Sequence, residues 1–309
     1  MKKSVLFNLG GATKLAKEVV AALSSNSNIE IGSIEFSCFA DSEIKVRALN
    51  DVKDRNVIIL AATSAPVNDH LMEVLILADG LKRAGASTIT LISPYFGYSR
   101  QDRIGDNNDP ITLKLVASLL RTAGVNKLFC IDPHTEYSPD YFDLAFIPIS
   151  GDSAFAKYFV KKFSAMHIPN NNVVVLSPDH GGINRGKHLA SSIEGAGFAV
   201  IEKQRAQTDR IKVVSFHGEV QNKTVIIFDD IISTGQTIME AVRLSREKGA
   251  KRVFVAASHP VFSSRSNEMF YKAKLDGIVV SDSIDSQLMR GVEVISFKDI
   301  VLNVIRDLV

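Results

Sequence analysis

Seven short runs rich in Val, Ile and other apolar residues punctuate the chain, and the sequence between them takes a helical period. The runs are 56–62 (NVIILAA), 87–93 (STITLIS), 127–132 (KLFCID), 172–177 (NVVVLS), 224–229 (TVIIFD), 252–257 (RVFVAA) and 277–281 (GIVVS). Runs this short, and continuously apolar rather than alternating, suit strands covered on both faces, as in a parallel sheet. After the first run, Leu71, Val74, Leu75, Ala78 and Leu81 fall on one face of a helix expected over 68–84. Asn68 is its expected N-cap, and Gly85 stands where a C′ glycine belongs. Asp109-Pro110 is expected to open a second helix, with Pro at the first helical position. Strands alternating with helices predict an α/β fold with mostly parallel sheets. The N-terminal stretch MKKSVLFNLGG reads as a first strand, since its apolar part is too short for a secretory signal.

The chain has 309 residues, which suggests two domains by the usual prior of roughly 150 residues each. The expected division is 1–148 and 149–309, with 293–309 free to pack on either half. An internal echo supports two related halves. VIIL at 57–60, a helix ending in LKRAGA, a strand and Pro94 parallel VIIF at 225–228, a helix ending in SREKGA, a strand and Pro260. The net charge of +2 argues against a protein that coats nucleic acid. No apolar run reaches the ~20 residues of a membrane span. Cys38 and Cys130 form neither a disulfide framework nor a metal spacing. A reducing, cytoplasmic setting is therefore expected.

The chemistry concentrates at 225–237, VIIFDDIISTGQT. A buried strand ends in two carboxylates, then a Ser/Thr/Gly loop, then a helix. Ligands of parallel sheets bind beyond the carboxyl ends of the strands. Backbone N–H groups of Ser233, Thr234, Gly235, Gln236 and Thr237 at a helix N-terminus make a phosphate cradle. Gly235 lets the backbone come close to the anion. Asp229 and Asp230 beside a phosphate are unfavourable unless they bind hydroxyls or a cation. A pentose phosphate such as ribose 5-phosphate meets both needs. A plain strand-end turn is the competing reading, and the paired acids weigh against it.

This stretch resembles the signature of the phosphoribosyltransferase superfamily. FADSEIKV (39–46), the segment 63–86, PYFGYSRQDR (94–103), DPITLKLVASLLRTAG (109–124), SPDHGGINRGKHLA (177–190) and SDSIDS (281–286) narrow it. Together they resemble the ribose-phosphate diphosphokinase family over nearly the whole chain. The resemblance implies two phosphoribosyltransferase-like α/β domains, each a mostly parallel sheet flanked by helices, with the first lacking a phosphoribosyl loop. It implies transfer of the β,γ-diphosphate of ATP to the C1 hydroxyl of ribose 5-phosphate, with Mg²⁺ required, giving phosphoribosyl diphosphate and AMP. Nothing in it implies a nucleic acid or a membrane as partner.

Residue by residue, the resemblance places ribose 5-phosphate on Asp229, Asp230, Ser233, Thr234, Gly235, Gln236 and Thr237. Lys203 and Arg205 match the root of the catalytic loop, where cations stabilise charge around the β-phosphorus in the transition state. Phe39, Asp41 and Glu43, with Arg100, Gln101, Asp102 and Arg103, match the ATP site. His134 and Asp179 match the magnesium positions, although a hard cation prefers oxygen to imidazole. In the family the segment carrying Phe39 comes from a neighbouring subunit, which implies a homo-oligomer, a dimer or a hexamer of dimers.

The chain departs from the family pattern in several places. Ser42 stands where Gly is usual; if that position needs positive φ, Ser costs about 1 kcal/mol. After Arg103 a usually basic stretch reads IGDNNDP, and after His134 a usually glutamine-rich one reads TEYSPDY. Ser233 opens the loop where Asp is common, and Gln204 replaces a frequent cation. These departures motivate an alternative, a non-catalytic regulatory homologue that associates with an active subunit. A base-specific phosphoribosyltransferase ranks lower, because it needs neither FADSE nor SRQDR.

Overall fold

The computed structural model describes residues 3–24, 26, 28–104, 108–134, 141–205 and 211–309, with the backbone alone at 203–205, 211–214, 264, 265 and 267. Two compact units emerge. The first is Met1–Ile149 with Asp282–Asp285 and Phe297–Val309; the second is Ser150–Ser281 with Ser286–Ser296.

The first unit runs β1 (Ser4–Asn8), α1 (Thr13–Leu23), β2 (Ile29–Ile31), β3 (Ile34–Cys38), β4 (Ile44–Ala48), β5 (Asn56–Leu60), α2 (Val67–Arg83), β6 (Thr88–Ser93), α3 (Thr112–Ala123), β7 (Lys127–Ile131) and β8 (Ala145–Ile149). Its six-stranded sheet has the order β2-β1-β5-β6-β7-β8, every pair parallel. β3 and β4 form a separate antiparallel hairpin.

The second unit runs α4 (Asp152–Ala165), β9 (Val173–Ser177), α5 (Ile183–Ser192), β10 (Gly197–Arg205), β11 (Ile211–His217), β12 (Thr224–Ile232), α6 (Gln236–Glu247), β13 (Arg252–Pro260), α7 (Ser264–Lys272), β14 (Gly277–Ser281) and β15 (Val292–Ile295). Its sheet order is β11-β10-β9-β12-β13-β14-β15, parallel except for the β10–β11 pair. With β11 set aside, the two sheets insert their strands in the same order. The internal echo in the sequence is thus an echo of topology, with β5 matching β12 and β6 matching β13. The α/β class with mostly parallel sheets is the one the chain adopts. The last stretch divides: β15 joins the second sheet, while α8 (Lys298–Asp307) belongs to the first unit. Among the described residues no helix is long and apolar enough to cross a membrane.

Burial explains the elements. α2 buries Leu71, Val74, Leu77, Ala78 and Leu81; Leu77 replaces the expected Leu75, which is only partly covered. The helix starts one residue earlier than its expected cap, at Val67 behind Pro66. Asn68 does not cap it; its side chain accepts the hydroxyl of Tyr98 instead. Gly85 does terminate it, with φ of +83° and its N–H donated to Lys82 O at 3.1 Å. α3 begins at Thr112, so Pro110 is not its first residue. Gln101 fixes that start: its carbonyl accepts the Leu113 N–H at 3.1 Å and its Oε1 accepts the Thr112 hydroxyl at 2.6 Å.

In the second unit the two faces of β12 are covered differently. Val225 and Ile227 pack with Ile238, Ala241 and Val242 of α6. On the other face Phe228 meets Phe155 of α4 at 5.0 Å between ring centres, and Phe163 meets Phe254 of β13 at 5.3 Å. Edge-on aromatic pairs of this kind add about 0.5–1.5 kcal/mol each beyond their buried area. β12 is therefore clamped from both sides up to the residue that precedes its two acids.

Candidate active site

β12 does not stop at its acids. The sequence placed the strand end at Asp229, but pairing with β13 continues through Ile231↔His259 and Ile232↔Pro260. Asp229 and Asp230 thus lie within the strand, on a backbone fixed by ladder hydrogen bonds. Strand alternation puts Asp229 on the α6 face and Asp230 on the opposite one. Asp230 is buried, 4% exposed. Its N–H donates to Asp229 Oδ1 at 2.9 Å. Burial, and then the neighbouring Asp230 and Asp179 carboxylates, push the Asp229 carboxyl well above the usual range, against a downward pull from Arg185.

The loop after the acids is braced from behind. Phe262 N–H donates to Ile232 O at 2.8 Å, and Ser263 N–H to Ser233 O at 3.1 Å. Gly235 has φ of +78°, and a Cβ there would stand 3.0 Å from the Phe270 ring. Both facts demand glycine. α6 starts directly after it with no side chain capping its N-terminus. Among the described residues no group accepts the N–H groups of Thr234, Gly235, Gln236 or Thr237. A helix start with open donors on a loop of this shape suits an anion.

Asp179 follows β9 on the neighbouring strand. Its Oδ1 accepts the Gly182 N–H at 3.2 Å and its carbonyl accepts the Ser177 hydroxyl at 2.8 Å. Arg185, in the first turn of α5, lies inside the 177–190 motif, yet nothing in its own segment marks it as a site residue. Its Nη1 lies 3.3 Å from Asp230 Oδ1 and 3.7 Å from Asp229 Oδ1. The nearest local signal is an arginine three residues after a glycine pair at a helix start. Lys203 and Arg205 lie in β10 beyond its pairing with β9, which ends at Val200↔Ser177. Their backbone stands at the same sheet edge as the acids, two strands away; their side chains lie outside the described residues. A register shift between Glu202 and Lys203 marks where the β10–β11 hairpin leaves the regular ladder.

The remaining expected site residues belong to the first unit. Phe39, Asp41 and Glu43 form the exposed tip of the β3–β4 hairpin, with Phe39 57% exposed. Phe39 N–H donates to Glu43 O at 2.7 Å, Ser42 N–H to Phe39 O at 3.0 Å, and Glu43 N–H to Asp41 Oδ1 at 3.2 Å. Ser42 has φ of +74°, so the conformation that favours glycine is required there. Arg100, Gln101 and Arg103 are exposed, and Asp102 is half-buried, in the loop after β6. His134 is half-buried in the loop after β7. Residues 105–107 and 135–140, in two of the departing stretches, lie outside the described residues.

The matching loop of the first unit, after β5, is tied to its surroundings through its hydroxyls. Thr63 and Ser64 are buried there. Thr63 Oγ1 accepts the Gly97 N–H at 2.7 Å, and the Ser64 hydroxyl donates to Gly11 O at 3.1 Å. The Thr63 N–H also donates, to Tyr95 O at 3.0 Å.

Comparison with known proteins matches two separate stretches of the chain. Residues 4–124 match the family model described as the N-terminal domain of ribose phosphate pyrophosphokinase, and residues 153–287 match the phosphoribosyl transferase domain. The chain is 39% identical over 279 residues to ribose-phosphate pyrophosphokinase of Bacillus caldolyticus, covering 90% of this chain and 85% of that one. It is 38% identical over 275 residues to the Thermotoga maritima protein of the same name, covering 89% and 86%. The crystal structure of phosphoribosylpyrophosphate synthetase from Mycobacterium smegmatis superposes with a TM-score of 0.88 at 32% identity, covering 99% of each chain.

Proposed function

The chain belongs to the ribose-phosphate pyrophosphokinase family and makes phosphoribosyl diphosphate, and on that premise we propose how its residues divide the work. The observation that carries the reading is the pair Asp229–Asp230 set inside a clamped strand, followed by an open helix start. Ribose 5-phosphate binds with its phosphate on the N–H groups of residues 233–237 and its 2- and 3-hydroxyls on the two acids. Its C1 hydroxyl attacks the β-phosphorus of ATP. The bond from that phosphorus to the α,β-bridging oxygen breaks, AMP leaves with the electron pair, and the hydroxyl proton passes to solvent. Lys203 and Arg205 hold positive charge at the oxygens around the β-phosphorus, where it counts most in the transition state.

A family of this kind uses a divalent metal, and we assign Mg²⁺. Asp179 fits a hard cation: its Oδ1 is anchored by Gly182, and among the described residues its second oxygen has no hydrogen bond. Among the described residues no cluster of three or more His, Cys, Asp or Glu is set to hold a metal ion. When bound, the ion neutralises charge on the diphosphate. His134, an imidazole in the first unit, is assigned to a metal by resemblance alone.

ATP is assigned to Phe39, Asp41, Glu43 and residues 100–103. Gln101 spends its carbonyl and its Oε1 on α3, so its contribution is to fix the loop that carries Arg100. The exposed Phe39 tip supports a hairpin offered to a second copy of the chain, hence a homo-oligomer. The proposed division at 148/149 makes the first half the ATP-side domain and the second the pentose domain. Cys38 and Cys130 are both unpaired, which agrees with a reducing cytoplasmic setting.

The decisive experiment measures AMP release from ATP with Mg²⁺, with and without ribose 5-phosphate. AMP formed only with the pentose supports the reading. No AMP with any pentose phosphate would sink it.

A further inference from the structure

Two carboxylates of the second unit, Asp229 and Asp230, meet the guanidinium of Arg185. Left alone, adjacent ionised acids on a strand repel one another and turn apart. Here one oxygen of each member of the pair is anchored. Asp230 Oδ1 accepts from Arg185 Nη1 at 3.3 Å. Asp229 Oδ1 accepts the Asp230 N–H at 2.9 Å and lies 3.7 Å from the same nitrogen. The Arg185 side chain is itself only 14% exposed.

Arg185 is in turn held by the start of α5. Gly182 N–H donates to Asp179 Oδ1 at 3.2 Å, and a Cβ on Gly182 would fall 2.7 Å from Ser177 Oγ. The turn from β9 into α5 is thus tight, and it delivers the arginine to the acids from a neighbouring strand. Arg185 reaches both carboxylates with one nitrogen, Nη1, which the rigid guanidinium plane holds in place; a lysine ammonium on its flexible stem holds such a point less firmly.

We propose that Arg185 is a positioning residue for the pentose: it orients Asp229 and Asp230 to accept a cis-diol and so sets the preference for ribose 5-phosphate over 2-deoxyribose 5-phosphate. The inference rests on the reading of Asp229 and Asp230 as the ribose acids. A hydroxyl donating to a fixed, ionised acceptor contributes roughly tenfold to hundredfold in binding, and an acceptor free to turn gives most of that away.

The test compares kcat/KM for the two pentose phosphates in wild type, Arg185→Met, Arg185→Lys and Asp230→Asn, and in Asp230→Asn combined with Arg185→Met. Arg185→Met is expected to lower the preference about tenfold or more, through the pentose KM, with the ATP KM within about twofold. Arg185→Lys keeps part of the preference. In the Asp230→Asn background Arg185→Met lowers it by less than in wild type, because the arginine acts through the pair. An unchanged preference in Arg185→Met, or an ATP KM that rises as much as the pentose KM, overturns the inference alone. Should Arg185→Met fail to fold, Arg185→Lys decides, and wild-type preference in that variant overturns it. A wild type with no preference between the pentoses sinks the reading of the acid pair as well.

Discussion

The N–H of Asp230 donates to the Oδ1 of Asp229 at 2.9 Å, so the backbone of one acid holds the carboxylate of the other. That bond favours an ionised Asp229, yet burial and the Asp230 charge outweigh it and raise the group well above the ordinary range. The folded chain therefore holds this proton more tightly than the unfolded chain does. Ionising Asp229 costs stability as pH rises through the unfolded value near ~3.9 toward the folded one, and the cost is fully present above both. Asp229→Asn removes it. Thermal melts of the ligand-free protein at pH 7 should show a gain of about 0.5–2 kcal/mol. The variant should lose about 100-fold or more in kcat/KM for ribose 5-phosphate, the usual scale for removing one preorganised charged contact. A variant that melts below wild type at neutral pH would show that the acid serves the fold.

Lys203 stands on the β10–β11 hairpin, beyond the pairing of β10 with β9. Lys203→Ala should lower kcat by about 100- to 1000-fold in the AMP-release assay. The melting temperature should change by no more than about 2 °C, because a single cation on a two-stranded hairpin contributes little to stability. Pentose and ATP KM values that stay near wild type would place the effect in the transition state.

Gly235 meets two independent demands, a left-handed φ of +78° and a Phe270 ring 3.0 Å from where a Cβ would lie. Gly235→Ala should cost about 1–2 kcal/mol through backbone strain alone. It should also move the loop N–H groups, so isothermal titration with ribose 5-phosphate should show weaker binding by at least about tenfold. Thr234→Ala, at an exposed position next to it, should change stability by less than about 0.5 kcal/mol.

How much of this was legible depended on whether a feature was local. Asp229 and Asp230 are consecutive after an apolar run, so one glance along the chain finds them. Arg185 needed α5 to fold back over the sheet before it met them, and nothing within its own segment says so. β12 runs past its expected end because Ile231 and Ile232 are held by β13, a partner remote in sequence. β3 and β4 were unread as strands since only Val46 among their residues is buried, leaving no apolar face to count. Pro110 looked like a helix start by local rules, but the Gln101 hydrogen bonds set the start of α3 two residues later.

Ser42 tests a departure from the family pattern directly. Its φ of +74° sits at the tip of the hairpin that carries Phe39, Asp41 and Glu43. Ser42→Gly should relieve about 1 kcal/mol of strain at that turn. The turn is exposed and its stability is local, so amide hydrogen exchange at residues 39–44 is the sensitive probe, with slower exchange expected in the variant. A lower KM for ATP should accompany it if the hairpin tip reads adenine.

Asp285 supplies what α1 lacks. That helix begins after Ala12 with no side-chain cap and no acidic residue in its first turn. Asp285 Oδ2 accepts the Thr13 N–H at 2.8 Å and Oδ1 the Lys14 N–H at 3.4 Å, from the far end of the chain. Burial would raise this carboxyl, but the hydrogen bonds from Thr13 and Lys14 hold it below the usual carboxylate range. Its stabilising contribution is therefore complete above the unfolded value of ~3.9 and is lost as pH falls through the lower folded one. Asp285→Ala should cost about 0.5–1 kcal/mol at pH 7, a capping loss reduced by solvent screening at an exposed site. Asp285→Asn should recover part of it by keeping an acceptor without the charge that favours a helix N-terminus. The measurement is urea unfolding at pH 7 and pH 3, and the gap between wild type and Asp285→Ala should narrow at the lower pH.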